Sequence, residues 1–317
     1  MSTIDVRVEK KIVEADGIVS LELHAAGDAP LPAFAAGAHV DIHLPNGLVR
    51  PYSLCNAPHD SGRYVIAVLR EPNSRGGSLA VHETVQVGDV LSISMPKNHF
   101  PLVAAHRSIL IGGGIGITPL LSMAQTLHAS GSAFELHYCA RAQSRTAFRE
   151  HLLGSPFARN VRFYFDERGD AIDMAEVLAA PAQETHLYVC GPAGFIEFVT
   201  ASAKRLGWPD GNVHFEFFAA PENPGEQVNT AFEIEIASKS IRLTVPEDRS
   251  VADVLLDNGI DIPVSCSQGV CGTCLTQVLS GTPEHRDMYL TDEEKARNDQ
   301  FLPCCSRALS RVLVLDL

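Results

Sequence analysis

Three cysteines crowd one short stretch, Cys266-Ser-Gln-Gly-Val-Cys271-Gly-Thr-Cys274, and a fourth, Cys304, lies far downstream in Leu-Pro-Cys-Cys-Ser-Arg-Ala. The spacing C-x4-C-x2-C with a distant fourth cysteine is that of a plant-type [2Fe–2S] centre. It constrains the local fold strongly, because one loop must wrap tightly enough to present three thiolates at once. Gly269 and Gly272 suit such a loop, in which backbone N–H groups turn towards sulfur. Buried core thiols, a zinc site and disulfides are the alternatives. Zinc sites usually pair two short spacings. Disulfides need an oxidising compartment, and the chain opens MSTIDVRVEK with no apolar signal segment, which points to the cytoplasm. Cys305 adjoins Cys304 and competes as a fourth ligand, whereas Cys55, Cys139 and Cys190 stand outside the constellation.

A one-electron centre performs no substrate chemistry, so the rest of the chain has to supply its electrons. With 317 residues there is room for two or three domains. Hydrophobic residues at 45% and charged residues at 20% describe an ordinary soluble globular protein. No stretch approaches the roughly 20 apolar residues of a membrane helix. A formal charge of −13 argues against nucleic acid as a partner. It suits steering towards a less acidic protein, or simple solubility.

Residues 1–103 read as β structure. Val19-Ser-Leu-Glu-Leu-His, Val40-Asp-Ile-His-Leu and Tyr64-Val-Ile-Ala-Val-Leu alternate, and Pro45-Asn-Gly and Asp60-Ser-Gly mark turns between them. Short antiparallel strands at this spacing predict a β-barrel. From 104 to 225 strand-like runs (Ser108-Ile-Leu-Ile-Gly, Phe134-Glu-Leu-His-Tyr, Val161-Arg-Phe-Tyr-Phe, His186-Leu-Tyr-Val) alternate with helical stretches, which predicts a parallel α/β sheet. A polar linker, Ala219 to Gln227, precedes a third region at 226–317, where Phe232-Glu-Ile-Glu-Ile and Ile241-Arg-Leu-Thr-Val form a hairpin pattern ahead of the cysteines.

Two elements in the first region suit a flavin. In Arg50-Pro-Tyr52-Ser53 a fixed cation, an aromatic and a hydroxyl leave one strand together. Arg50 can pair with phosphate, Tyr52 can lie along the flavin, and Ser53 can bond its reactive edge. Arg75-Gly76-Gly77-Ser78 precedes a helical stretch whose amides offer a phosphate site. Taken singly, these are equally an ordinary strand and an ordinary turn.

In the second region, Gly112-Gly113-Gly114-Ile-Gly116-Ile-Thr118-Pro lies between a strand and a helix, where backbone can approach a pyrophosphate. Cys190-Gly191-Pro192 likewise ends a strand and opens a helix. In a parallel sheet both loops sit at the carboxyl edge, where ligands bind. Cys190 is either a small core residue or a thiol beside the nicotinamide. Asp166 is a candidate ribose contact or a solvated carboxylate.

At these residues the chain resembles the phthalate dioxygenase reductase family, which includes the vanillate demethylase reductases. Arg50-Pro-Tyr-Ser-Leu-Cys-Asn, Arg75-Gly-Gly-Ser, Gly112-Gly-Gly-Ile-Gly-Ile-Thr-Pro, Cys190-Gly-Pro, His214-Phe-Glu, His285-Arg-Asp-Met and Cys304-Cys-Ser-Arg-Ala appear in the family's order. The resemblance implies an antiparallel FMN-binding barrel, an NADH-binding α/β domain and an α+β (β-grasp) ferredoxin domain. It implies that Arg50, Tyr52, Ser53, Gly77 and Ser78 hold FMN, and that Thr118 and Cys190 face the nicotinamide nucleotide. Phe218 would close the nucleotide domain near the flavin. Cys304 is favoured as ligand because relatives often carry valine at the place of Cys305. Leu69 departs from relatives that have a basic residue there.

The function so implied is electron transfer from NADH through FMN and the cluster to a terminal Rieske non-haem iron oxygenase of an aromatic-degrading system. Ser53 and Cys190 are the candidates nearest the hydride. A reductase for a cytochrome P450 is a second reading, told apart by which oxygenase turns over. A redox sensor is a third, and it predicts no rapid reduction of cytochrome c by NADH.

Overall fold

The computed structural model describes residues 3–71, 74–179, 181, 184–219, 229–239 and 241–317. The chain divides into two compact units, Met1–Phe218 and Ala219–Leu317. The predicted boundary at 225 lies outside the described residues.

The first unit opens with strands β1 (Thr3–Ala15), β2 (Ile18–Ala25), β3 (His39–His43), β4 (Val49–Ser53) and β5 (Tyr64–Leu69), then helix α1 (Gly77–Glu83) and strand β6 (Val90–Ser94). They form one antiparallel sheet in the order β4-β3-β6-β1-β2-β5. A bridge between Leu54 and Ile66 joins its two ends and closes the barrel. Period-two alternation turns Val6, Leu21, Val40, Ile42 and Ile66 into a shared core. Closure removes the free edges an open sheet would expose.

The nucleotide-like layer follows: β7 (Arg107–Gly113), α2 (Ile117–Ala129), β8 (Ala133–Ala140), α3 (Arg149–Leu153), β9 (Val161–Phe165), α4 (Met174–Val177), β10 (Thr185–Gly191), α5 (Ala193–Arg205) and β11 (Val213–Phe217). All five strands are parallel, in the order β11-β10-β7-β8-β9. The chain winds outward through β8 and β9, then crosses back to β10. The order therefore reverses between β7 and β10, the kind of switch point at which open α/β sheets bind ligands.

Barrel and parallel sheet form one unit because they share an apolar cluster. Ile18, Cys55 and Phe100 from the barrel side pack with Leu120, Met123 and Tyr188. Three polar ties reinforce it. Ser122 Oγ donates to Asn56 O at 2.8 Å, Gln125 Nε2 donates to Cys55 O at 3.0 Å, and Val103 N donates to Tyr188 Oη at 2.8 Å.

The second unit contains β12 (Phe232–Ile236), β13 (Ile241–Val245), α6 (Val251–Asp257), β14 (Thr276–Ser280), β15 (Pro283–Glu284), α7 (Asp292–Arg297), β16 (Gln300–Phe301), β17 (Arg307–Ala308) and β18 (Val312–Leu315). Its mixed sheet runs β13-β12-β18-β14-β16. Helix α6 buries Val251 and Leu255 in the core that β12 and β18 line. Capping boxes start α6 (Ser250 with Asp253) and α7 (Thr291 with Glu294). Among the described residues no helix is long and apolar enough to cross a membrane.

Candidate functional site

Strand alternation sorts the β4 residues. Tyr52 stands opposite Val40 and Arg50 opposite Ile42, on the face of the barrel core, while Ser53 stands opposite His39 on the other face. Tyr52 packs against the barrel core, and burial pushes its hydroxyl up to about 12 against the pull of Arg50. The Arg50 side chain arches over the start of α1. A Cβ on Gly77 would lie 2.8 Å from Arg50 Cγ and 2.9 Å from Nε. Only glycine lets the guanidinium stem lie against that first turn. Gly76 precedes it at φ 95°, a left-handed conformation. Ser78 Oγ bonds Ser74 Oγ at 2.9 Å and accepts from Glu71 N at 3.2 Å, which pins the loop, and Arg75 is exposed beside it. Ser53 is 6% exposed, and its hydroxyl makes no hydrogen bond among the described residues. A cation, whose Nη1 donates to Val49 O at 2.7 Å, an aromatic and an available hydroxyl on one strand fit FMN.

At the switch point, two glycine loops interlock. A Cβ on Gly116 would fall 2.2 Å from Cys190 O, and one on Gly113 would fall 2.9 Å from the Phe195 ring and 3.1 Å from Pro192 Cδ. A Cβ on Gly191 would sit 3.1 Å from Gly113 Cα. Gly114 meets nothing within 4 Å but has φ 56°, so there backbone freedom is the requirement. The result is a side-chain-free ledge across the ends of β7 and β10, where a dinucleotide backbone can approach. Thr118 is buried and donates to Ile115 O at 3.0 Å, fastening the glycine turn. Phe218 is half-buried against the cluster shared by barrel and sheet. Asp166 is exposed at the end of β9, on the same edge.

Cys190 is fully buried in that cluster. Burial, and then the nearby Glu216 carboxylate, push its thiol well above the usual range. It is therefore a neutral thiol, suited to packing beside a ring and unsuited to nucleophilic attack. Glu216 is its partner in the β10–β11 register, a pairing that only the folded sheet reveals.

The cysteine loop differs in kind. Residues 261–275 contain neither helix nor strand, yet Cys266, Cys271, Cys274 and Cys304 are all buried. Cys271 lies close to Cys266 and Cys274 close to Cys304, while Cys304 also neighbours Cys305. Among the described residues no three His, Cys, Asp or Glu side chains converge on one ion. Two pairs are the grouping a [2Fe–2S] cluster needs, since four thiolates shared between two irons leave two for each. In each pair the contact and burial push one thiol far up, because two adjacent thiolates repel without a cation between them. The donor set thus fits the cluster. Gly269 at φ 73° and Gly272 at φ 68° let the loop pass under neighbours: a Cβ would lie 2.3 Å from Cys305 Sγ and 2.2 Å from the Tyr289 ring, respectively. Cys304 is the cysteine that meets Cys274, while Cys305 stands against Gly269.

Two further residues, both inside motifs of the family resemblance, brace the second unit in ways the sequence alone does not assign. Asp287 is buried and accepts from Leu290 N at 2.8 Å, turning the chain that covers Gly269. Arg307 donates to the carbonyls of Arg249, Thr230 and Pro246 and lies 5.1 Å over the Phe232 ring, so this arginine of the Cys304 motif is a brace.

Known proteins share this arrangement. Residues 234–309 match the 2Fe-2S iron-sulfur cluster binding domain. The chain is 52% identical, over 99% of its length and 100% of the relative's, to a vanillate O-demethylase oxidoreductase of Pseudomonas sp. (strain HR199 / DSM 7063). It superposes on a solved phthalate dioxygenase reductase with a TM-score of 0.80 and 40% identity, covering 100% of this chain and 98% of that one. An intact type IV self-sufficient cytochrome P450 monooxygenase aligns at TM-score 0.85 and 33% identity, over 99% of this chain and 41% of the other.

Proposed function

The chain belongs to the family of vanillate O-demethylase oxidoreductases and phthalate dioxygenase reductases, and from that premise we propose that it draws electrons from NADH and delivers them singly to a Rieske-type oxygenase component of an aromatic-degrading system. When bound, FMN accepts a hydride's electron pair and the [2Fe–2S] cluster passes electrons one at a time.

The chain's own residues bind, orient and insulate. In this reading residues 1–103 hold the flavin, with Arg50, Arg75, Gly76, Gly77 and Ser78 at its phosphate and Tyr52 and Ser53 along its ring. Residues 104–225 hold NADH, with Gly113, Gly114, Gly116 and Thr118 under the pyrophosphate turn. Cys190, Gly191 and Pro192 shape the nicotinamide end, and Phe218 closes the unit. Residues 226–317 hold the cluster on Cys266, Cys271, Cys274 and Cys304. The buried Cys190 thiol excludes water from the hydride's path while carrying no charge that would repel it. All eight cysteines are unbridged, which suits a reducing cytoplasm.

The observation that carries this reading is the paired set of four buried thiols on the same chain as a glycine ledge at a sheet switch point. Its test is reconstitution. With NADH and a purified Rieske-type oxygenase, this protein should sustain product formation, and heat-released flavin should co-elute with FMN. Released FAD would show that the Arg75–Ser78 loop has been misassigned. The likeness to a P450 monooxygenase favours a second acceptor. Turnover of a P450 with no turnover of a Rieske-type oxygenase would select it.

A further inference from the structure

The turn that carries Cys304 holds two thiols. Strand β16 ends at Phe301 and β17 begins at Arg307, and residues 302–306 between them belong to neither helix nor strand. Leu302 O closes the turn by accepting from Cys305 N at 3.2 Å and from Ser306 N at 3.0 Å. Along a strand, successive side chains point to opposite faces. The turn lifts that rule, and Cys305 lies close to Cys304. Its sulfur also reaches the loop that carries the other three cysteines. A Cβ on Gly269, between Cys266 and Cys271, would fall 2.3 Å from Cys305 Sγ. The glycine thus leaves the room that this sulfur occupies. The sulfur is only loosely tied there, since its polar contacts, Leu302 O and Ser306 Oγ, both lie at 3.8 Å.

We propose that Cys305 is a reserve ligand of the [2Fe–2S] cluster, taking over at the same iron when Cys304 cannot bind. The proposal rests on the reading that these cysteines hold the cluster. In the exchange, the Fe–S bond to Cys304 breaks and one to Cys305 forms. Cys305 gives its proton to water as it binds, and the released Cys304 sulfur takes one up. The number of thiolates, the charge of the cluster and its electrons stay the same, so the step needs neither oxidant nor reductant. Consecutive Cα atoms stand about 3.8 Å apart. The exchange therefore asks for a rotation within one turn, not a new path for the chain.

The neighbouring groups are poorer substitutes. Asp287 is buried and already accepts from Tyr289 N at 3.2 Å and Leu290 N at 2.8 Å. Ser306 Oγ is engaged as well, donating to Asp287 Oδ1 at 3.4 Å and accepting from Arg286 N at 3.2 Å. Both offer hard oxygen, whereas iron–sulfur clusters select soft thiolate. Cys55, Cys139 and Cys190 belong to the first unit. Cys305 is therefore the one thiol of the second unit left over beside the four ligands.

The test uses the full chain, reconstituted anaerobically, and reads iron, acid-labile sulfide, the visible envelope and the EPR signal of the reduced centre. The wild type should hold about two irons. Cys304→Ala should hold as many, with an all-thiolate visible envelope and g-values displaced because the new sulfur meets iron at another angle. Cys305→Ala should match the wild type, since Cys304 is the resident ligand. The Cys304→Ala/Cys305→Ala double variant should lose its iron and sulfide. Cys304→Ser, which keeps the side-chain volume, should also show the all-thiolate envelope, because the sulfur at 305 outcompetes the new hydroxyl. Loss of iron from Cys304→Ala would overturn the proposal and leave Cys305 as a filler against Gly269. So would iron retained by the double variant, or a blue-shifted, oxygen-ligated envelope in Cys304→Ser. A wild-type protein that takes up no cluster would instead overturn the functional reading beneath it.

Discussion

The glycine ledge and the cysteine loop solve the same problem, holding a cofactor by backbone, in opposite ways. The ledge lies where β7 and β10 end and α2 and α5 begin, so regular hydrogen bonding fixes it in advance. Its tightest glycine, Gly116, is defined by backbone, with Cys190 O 2.2 Å from where a Cβ would lie. The loop at 261–275 has no regular structure. Its glycines abut side chains, the Cys305 sulfur and the Tyr289 ring, and among the described residues its thiols do not gather on one ion. The ledge is therefore a property of the fold, whereas the loop needs the group it holds, as metal sites coupled to folding generally do.

Variants should separate the two. The largest effect is expected from Cys271→Ser, which removes one of four thiolates. Reduction of the protein acceptor should be lost while NADH still bleaches the flavin. Loss of both would show that the loop supports the fold after all.

Acid should weaken the first unit next. His39 has an ordinary value of 6.5 when unfolded and about 4 when folded. Between these the native state binds fewer protons than the unfolded one, so stability rises with pH and falls as pH drops from 6.5 towards 4. The full loss is on the order of 3 kcal/mol. Urea midpoints read by flavin release should fall over that window, and His39→Gln should flatten the slope.

Gly116→Ala drives a Cβ into strand backbone and should cost about 2 kcal/mol, lowering the melting temperature of the first unit by roughly 4–8 °C at unchanged iron content. Gly269→Ala should do the reverse, lowering iron content and leaving that melting temperature alone. If the two variants behave alike, the contrast drawn here is wrong. The smallest effect is expected from Arg50→Ala, about tenfold in flavin affinity for one lost charge-assisted contact of roughly 1.5 kcal/mol, measured by fluorescence titration.

What was legible in the sequence follows the same divide. Thiolate chemistry demands fixed spacing, so the cluster loop is written locally, as are glycines between a strand and a helix. Strand β1 was not legible. Of Thr3–Ala15 only Val6 and Val8 are fully buried, and the charged residues around them hide the alternation. One of those charges is structural. Lys11 Nζ donates to the carbonyls of Val81, His82 and Val85 at 3.0, 2.8 and 2.7 Å, capping the end of α1 from across the barrel. The pairs Cys190–Glu216 and His39–Ser53 were hidden for a different reason. They exist only once strand register is set, and sequence distance carries no trace of it.

The most direct measurement is a visible and EPR spectrum of the freshly purified, iron-analysed protein, taken before and after anaerobic NADH. The account predicts iron and acid-labile sulfide in equal amounts, a flavin band superimposed on a broad brown envelope, bleaching of both by NADH, and the signal of a reduced [2Fe–2S] centre. A flavin that bleaches over an unchanged or absent iron envelope, even after reconstitution, would contradict it.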